Sequence, residues 1–426
     1  MVWLVRRRAR RARAARSVQL PLEQASAGRG DSGDRGVSVT DNILPFLPYG
    51  KQSIEEEDIA AVVEGLRHDF LTTGPAVDAF EAALAEAVGA KYAVAVANGT
   101  AALHLASMAA NIAAGDEAVV SAVTFMASAN GVRYCGGEPV FADIDPTTGL
   151  TTAALMAEKI TERTRLLVPV HLTGRSVDME AVGTLARQHG LMVIEDAAHA
   201  LGARWRGGPV GCCAHSDMAI FSFHPVKHVT TGEGGAITTN DPALYERLRV
   251  LRNHGIVREP ERFEYDNPGP WYHEMQELGY NYRLTDLQCR LGLSQLGRLA
   301  GFVRRRREIA ARYDAAFAEL AHCAPLLATP DTESAYHLYV VRVDFEALGT
   351  SRAAFVEALR ARRIGAQVHY IPVPNQPYYQ RRGHDPEDFP GAQDYYARAL
   401  SLPMYPALTD ADVDRVIAAM TELCRG

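Results

Sequence analysis

No apolar run in this 426-residue chain approaches the roughly 18 residues that a membrane-crossing helix needs, which argues against an integral membrane protein. A basic excess is also missing. The 44 Lys and Arg stand against 51 Asp and Glu, a formal net charge of −7, and that balance disfavours a nucleic-acid binder. Cysteine is sparse: Cys135, Cys212, Cys213, Cys289, Cys323 and Cys424 contain no CxxC pair, and no secretory signal precedes them. Reduced thiols in a cytoplasmic protein are therefore expected. The adjacent Cys212 and Cys213 lack the partner spacing of a metal site, so no metal is expected. No internal repeat occurs, nor any low-complexity stretch after residue 42. What remains is ordinary globular usage, 47% hydrophobic and 22% charged, at a length that suggests two domains.

The charge is unevenly placed. Residues 1–42 hold nine arginines, seven of them between Arg6 and Arg16, against Glu23, Asp31, Asp34 and Asp41. This Arg/Ala run has no apolar stretch of the kind a secretory signal carries. The polar, Gly-rich segment from Gly28 to Gly36 offers nothing to pack, so residues 1–42 read as a disordered extension. A transit peptide or a nucleic-acid-binding arm would share this composition.

Folded sequence is expected from Ile43. Ser53 and Glu56 have capping-box spacing and open a helix to about Arg67; a second helix runs from about Ala76 to Val88. Short apolar runs then alternate with helical stretches: Tyr92–Ala97, Glu117–Ala122, Pro139–Ile144, Leu166–His171, Leu191–Asp196, Met218–Phe223 and Ala236–Thr239. Most are too apolar for a half-exposed strand. They predict an α/β domain, 43–300, built on a mostly parallel seven-stranded sheet covered on both faces. A long interrupted helix from Leu284 to Leu320 leads to a smaller α+β domain, 301–426. Its strands are expected at His337–Val343 and Ala366–Tyr370, and its helices at Ser351–Arg362 and Thr409–Leu423.

Four features need a joint explanation. Asp196 ends a buried strand, with His199 three residues on. Lys227 follows another strand in FSFHPVK, and GEGG follows at once. Asn98-Gly99-Thr100-Ala101 lies between a strand and a helix, where free N–H groups can receive a phosphate. Each alone has a plain reading: a helix cap, a solvated loop lysine, a turn. Together they match the needs of pyridoxal phosphate. Its aldehyde needs a lysine amine, its ring nitrogen needs a buried carboxylate to stay protonated, and its phosphate needs backbone donors and hydroxyls.

The order NGTAA, SAVTFMASAN, EDAAHALGA, FSFHPVK, GEGGAITTN, RNHG, GYNYRLTD resembles the DegT/DnrJ/EryC1/StrS sugar aminotransferase family over about residues 43–426. The resemblance implies the aspartate-aminotransferase fold (fold type I) and a homodimer with active sites shared between subunits. It implies that Lys227 binds the cofactor and shuttles a proton, that Asp196 pairs with the ring nitrogen, and that His199 lies by the ring oxygen. It further implies that Phe125 stacks on the ring, that Gly99, Thr100, Ala101 and Ser222 hold the phosphate, and that Asn281 reaches the phosphate of the other subunit. Some members carry histidine in place of the lysine and dehydrate sugars; Lys227 favours transamination.

The segments LTTGP, GYNYRL, LSQL, QVHY and SLP resemble the pseudaminic-acid branch more closely. That likeness implies transfer of an amino group from L-glutamate to C4 of a UDP-linked 4-keto-6-deoxy sugar, with Thr73, His369 and Tyr370 as substrate contacts. Alternatives are a dTDP-sugar or C3 aminotransferase, the legionaminic-acid precursor, or a regulator whose basic tail binds DNA.

Overall fold

The structure is a computed structural model that describes residues 44–425; the expectation for residues 1–42 lies outside them. Seven strands form the main sheet: β1 (Tyr92–Val96), β2 (Glu117–Ser121), β3 (Glu138–Ala142), β4 (Thr164–Val168), β5 (Met192–Asp196), β6 (Met218–Ser222) and β7 (Gly235–Thr239). Their order is β1-β7-β6-β5-β4-β2-β3, and only β7 runs against its neighbours. Every residue of β2 and β7 is buried, which is why these strands read as continuous apolar runs rather than alternating ones. The expected sheet is thus the observed one.

The helices flanking it are α1 (Glu56–Arg67), α2 (Pro75–Val88), α3 (Gly99–Ala109), α4 (Ala127–Tyr134), α5 (Met179–His189), α6 (Pro242–Arg252) and α7 (Asp286–Gly297). The cap of α1 falls two residues beyond the expected Ser53, and a different pair, Glu55 and Asp58, makes the capping box. Asp58, not Ser53, turns back, its carboxylate accepting the Glu55 amide at 3.0 Å. The same buried carboxylate accepts from Ser294, Gln295 and Arg298, so an N-terminal cap also fastens α1 to α7. Asp286, in the first turn of α7, likewise accepts the Gly74 and Ala76 amides and fixes the entry of α2.

The expected long helix breaks after Gly297 and resumes as α8 (Leu299–Phe317). Beyond it, β8 (Cys323–Pro325), β9 (Tyr339–Val343) and β10 (Ala399–Leu402) form an antiparallel sheet in that order, with α9 (Arg352–Ala361), α10 (Pro390–Arg398) and α11 (Asp410–Arg425). Tyr313, Phe317, Tyr339, Phe355, Leu400 and Met420 belong to a hydrophobic core of their own there. One strand expectation fails and another starts two residues late. Ala366–Tyr370 is not a strand: only Gln367 pairs, exchanging both backbone hydrogen bonds with Ser401. The apolar run from 337 enters the sheet only at Tyr339, because Ala335 and Leu338 donate their amides to Gly174 and Thr173 instead. Both segments are drawn to the main sheet's edge, where they line the site.

Candidate active site

The parallel strands end along one edge of the sheet, where α/β proteins bind ligands. A cavity of about 460 Å³ opens there, bordered by Gly99, Thr100, Phe125, Asp196, His199, Ser222, Lys227, His369 and Tyr370. Nine of the twelve residues singled out from sequence therefore meet at one place.

The loop between β6 and β7 positions Lys227. It closes on itself: the Phe223 amide donates to the Gly234 carbonyl, and the Phe223 carbonyl accepts from the Thr231 amide and the Thr230 hydroxyl. The glycines that follow are there for closeness. A Cβ on Gly235 would stand 2.5 Å from the carbonyl carbon and oxygen of Asn98, so only glycine lets β7 begin against the entry of α3. A Cβ on Gly99 would stand 3.0 Å from the Cβ of Ser222. The start of α3, the end of β6 and the start of β7 are thereby brought into one cradle.

Burial lowers the pKa of the Lys227 amine to about 8, and the charge of Asp196 opposes that shift. Asp196 is buried at the end of β5. Its carboxylate accepts the Ser128 hydroxyl at 2.6 Å and the Ala198 amide at 3.1 Å, and forms no ion pair among the described residues. Such a carboxylate is costly to bury unless a cationic group shares its site.

His199 is buried, and its pKa is pushed well below the usual histidine value by burial and then by Lys227, His369 and His228. Its Nδ1 accepts the Thr173 amide at 3.3 Å, and its Nε2 lies 3.0 Å from the Tyr370 hydroxyl. His369 hydrogen-bonds Ser401 through Nδ1 at 2.8 Å; burial, then Lys227, brings its pKa down to about 4. Phe125 is half exposed at the rim, its ring 6.0 Å from that of Tyr370.

The residues fit pyridoxal phosphate. At the start of α3 the Gly99 and Thr100 amides precede the first intrahelical bond and have no partner among the described residues, nor does the Ser222 hydroxyl. These donors, the buried amine, the carboxylate lacking a cation and the aromatic rim supply one group for each part of that cofactor.

Three expected residues stand elsewhere. Ala101 is buried below the cavity, and its amide is taken by the Asn98 side chain at 2.8 Å. Thr73 borders a second cavity of about 490 Å³ with Arg249, Arg252, Arg258, Arg262 and Arg283. Asn281 is exposed and bridges Asn253, beside that second cavity. Sequence reasoning passed over Ser128, Thr173 and His337. Ser128 lies seven residues after Ser121 in a quoted motif, but nothing in spacing tells that it reaches a strand end 68 residues away. His337 borders the cavity from the far side of the chain.

The fold and this cradle define an enzyme that uses pyridoxal phosphate at the edge of a mixed sheet. More particularly, the chain belongs to the DegT/DnrJ/EryC1/StrS aminotransferase family, which matches residues 52–421. The spore coat polysaccharide biosynthesis protein SpsC of Bacillus subtilis is 43% identical over 387 residues, covering 89% of this chain and 98% of its own. Among solved structures, Helicobacter pylori PseC, an aminotransferase involved in pseudaminic acid biosynthesis, superposes with a TM-score of 0.82 at 31% identity, covering 89% of this chain and 99% of that one. The pyridoxal-phosphate form of Spr1654 from Streptococcus pneumoniae matches with a TM-score of 0.82 at 30% identity, over 89% of this chain and 99% of that one. No helix among the described residues is long and apolar enough to cross a membrane.

Proposed function

We propose that this chain moves the amino group of L-glutamate to C4 of a UDP-linked 4-keto-6-deoxy-N-acetyl hexosamine, the reaction of UDP-4-amino-4,6-dideoxy-N-acetyl-β-L-altrosamine transaminase in pseudaminic-acid biosynthesis. The observation that carries amino transfer is the buried Lys227 amine, near pKa 8, in the cavity it shares with Asp196. The choice of sugar is supported by likeness to PseC and by the Gln367–Tyr370 segment, whose His369 and Tyr370 border that cavity.

When bound, pyridoxal phosphate supplies an aldehyde for amine exchange and a ring that draws electrons from the neighbouring carbon. The chain's residues divide the remaining tasks. Asp196, oriented by Ser128, keeps the ring nitrogen protonated. The Gly99 and Thr100 amides and the Ser222 hydroxyl hold the phosphate, while Ala101 serves that turn as buried backbone. Phe125 would cover the ring, and His199 would stand on its oxygen side. Lys227 would take a proton from the α-carbon of glutamate and return one at the sugar carbon, which requires a neutral amine; burial, by lowering its pKa to about 8, raises the share of that form. His369 and Tyr370 contact substrate in this cavity, and Thr73, which borders the second cavity beside Asn253, would contact it only in the site of a second copy. Asn281, exposed and away from its own cavity, reaches the phosphate in a second copy, so the active form is a homodimer. Residues 43–300 carry the cofactor, and 301–426 form the smaller domain against it.

The test is a substrate panel: UDP- and dTDP-linked 4-keto sugars offered with glutamate, with the position and configuration of the new amine read by NMR. Amination of the UDP sugar at C4 is expected; amination at C3 or a preference for dTDP sugars would overturn the substrate assignment. A second reading is favoured by the higher identity to SpsC: the same transfer on another nucleotide sugar destined for a surface polysaccharide.

A further inference from the structure

Thr173 is an outlier. It is fully buried and β-branched, yet its φ is +64°, in the left-handed region that such residues rarely enter. The strain is held in place. Arg175 donates to the Thr173 hydroxyl at 2.7 Å, the Leu338 amide donates to the Thr173 carbonyl, and Gly174 next to it accepts from the Ala335 amide and the Ser334 hydroxyl. This conformation aims the Thr173 amide at Nδ1 of His199. A backbone amide can only donate, so Nδ1 must be bare and the ring's single proton must sit on Nε2. That proton faces the Tyr370 hydroxyl at 3.0 Å. The tyrosine oxygen therefore accepts, and its own hydrogen is left over. Among the described residues no acceptor stands within hydrogen-bond reach of it, and Tyr370 borders the cavity.

The geometry points to a hydrogen-bond chain of fixed polarity, Thr173 to His199 to Tyr370, that presents the Tyr370 hydroxyl proton to an oxygen of the bound ligand. Tyr370 is the residue that touches ligand; His199 and Thr173 position it. The burial that lowers the His199 pKa and raises that of Tyr370 keeps both in the protonation states the chain requires. Two oxygens have the right chemistry, the ring oxygen of the cofactor and a carbonyl or carboxylate oxygen of a substrate. The ligand arm rests on the function proposed above; the tautomer does not.

Nitrogen NMR of the ligand-free protein labelled with ¹⁵N-histidine reads the tautomer directly. His199 is expected with Nε2 protonated and Nδ1 bare at neutral pH, in the wild type and in Tyr370→Phe. A His199 signal with Nδ1 protonated, or with both nitrogens protonated, overturns the chain whatever the ligand. With pyridoxal phosphate bound, Tyr370→Phe shifts the pH at which the visible absorbance of the lysine-bound cofactor changes, if the ring oxygen beside that imine is the acceptor. If the acceptor belongs to substrate, the spectrum stays and KM rises about fivefold to tenfold. Movement of neither overturns the proposal. Polarity is checked at 199: in His199→Gln the side chain still offers an acceptor to Thr173 and a donor to Tyr370, so it tracks the wild type in whichever quantity Tyr370→Phe moves. His199→Glu offers only acceptors, captures the tyrosine proton and behaves as Tyr370→Phe. Failure of the wild type to take up cofactor sinks the functional reading and leaves the tautomer measurement standing.

Discussion

Ser128 donates its hydroxyl to the carboxylate of Asp196 across 2.6 Å, tying the first turn of α4 to the last residue of β5. The same hydroxyl lies 2.7 Å from that of Thr124, so the carboxylate's orientation is set by the loop that also carries Phe125. Asp196 thus has one neutral donor on each oxygen and room left for a cationic ring nitrogen.

Removing that donor tests its worth. Ser128→Ala is expected to lower kcat about tenfold, the scale of one hydrogen bond to a charged group, while the cofactor still binds. Asp196→Ala is expected to retain bound cofactor and lose turnover almost completely. Steady-state kinetics on reconstituted enzyme decides; unchanged turnover in Asp196→Ala would remove it from the mechanism.

Lys227→Ala should lose the visible absorbance of lysine-bound cofactor and at least about 10²- to 10⁴-fold in rate, the share of a positioned general base. A variant that keeps its yellow colour after dialysis would show that another amine holds the cofactor.

The depressed Lys227 pKa has two consequences of known sign. The reactive form is the neutral amine, so the rate at which the cofactor-free protein takes up pyridoxal phosphate should rise with pH through an ionisation near 8. For folding, the unfolded lysine, at 10.5, binds more protons than the folded one between about pH 8 and 10.5. Stability of the cofactor-free protein from this group therefore rises with pH across that window and is lowest below it. Lys227→Met removes the cost, and denaturant melts at pH 7 should find it more stable by up to roughly 3 kcal/mol.

Gly235→Ala places a Cβ against the Asn98 carbonyl and should displace the start of α3, weakening pyridoxal phosphate binding about tenfold or more through the phosphate cradle. Gly297→Ala, with nothing within 4 Å, is the control and should shift stability by no more than about 0.5 kcal/mol. Equal cofactor affinities in the two variants would mean that the close approach of β7 and α3 is not what builds the cradle.

The proposed sharing of the active site between two copies makes a mixing prediction. Lys227→Ala and Asn281→Ala, each impaired alone, should regain activity when unfolded and refolded together, because one site of each mixed dimer has both residues. Absence of recovery, with dimers confirmed by light scattering, would place Asn281 outside the partner's site.

Much of this was legible in the chain. Every strand of the main sheet begins and ends within three residues of its apolar run, because burial on both faces demands unbroken apolar sequence. Lys227, Asp196, Gly99 and Ser222 could be named because each lies in a contiguous motif at or within five residues of a strand end. The capping of α1 by Asp58 could not, since Ser53 and Asp58 offer similar local spacing and the choice was made by Ser294, Gln295 and Arg298, more than 230 residues away. Nor could the fate of residues 366–370, which read as a strand but are pulled to the cavity.

The sequence by itself determined the layered sheet, the lysine and the carboxylate at its edge, and the family, because these depend on periodicity and on motifs contiguous along the chain. Only the tertiary structure decided which nitrogen of His199 is bare, that Ser128 reaches Asp196, and that Thr73 and Ala101 stand off the lysine cavity. Those facts depend on the direction of single donors and on packing between distant segments, which no local pattern encodes.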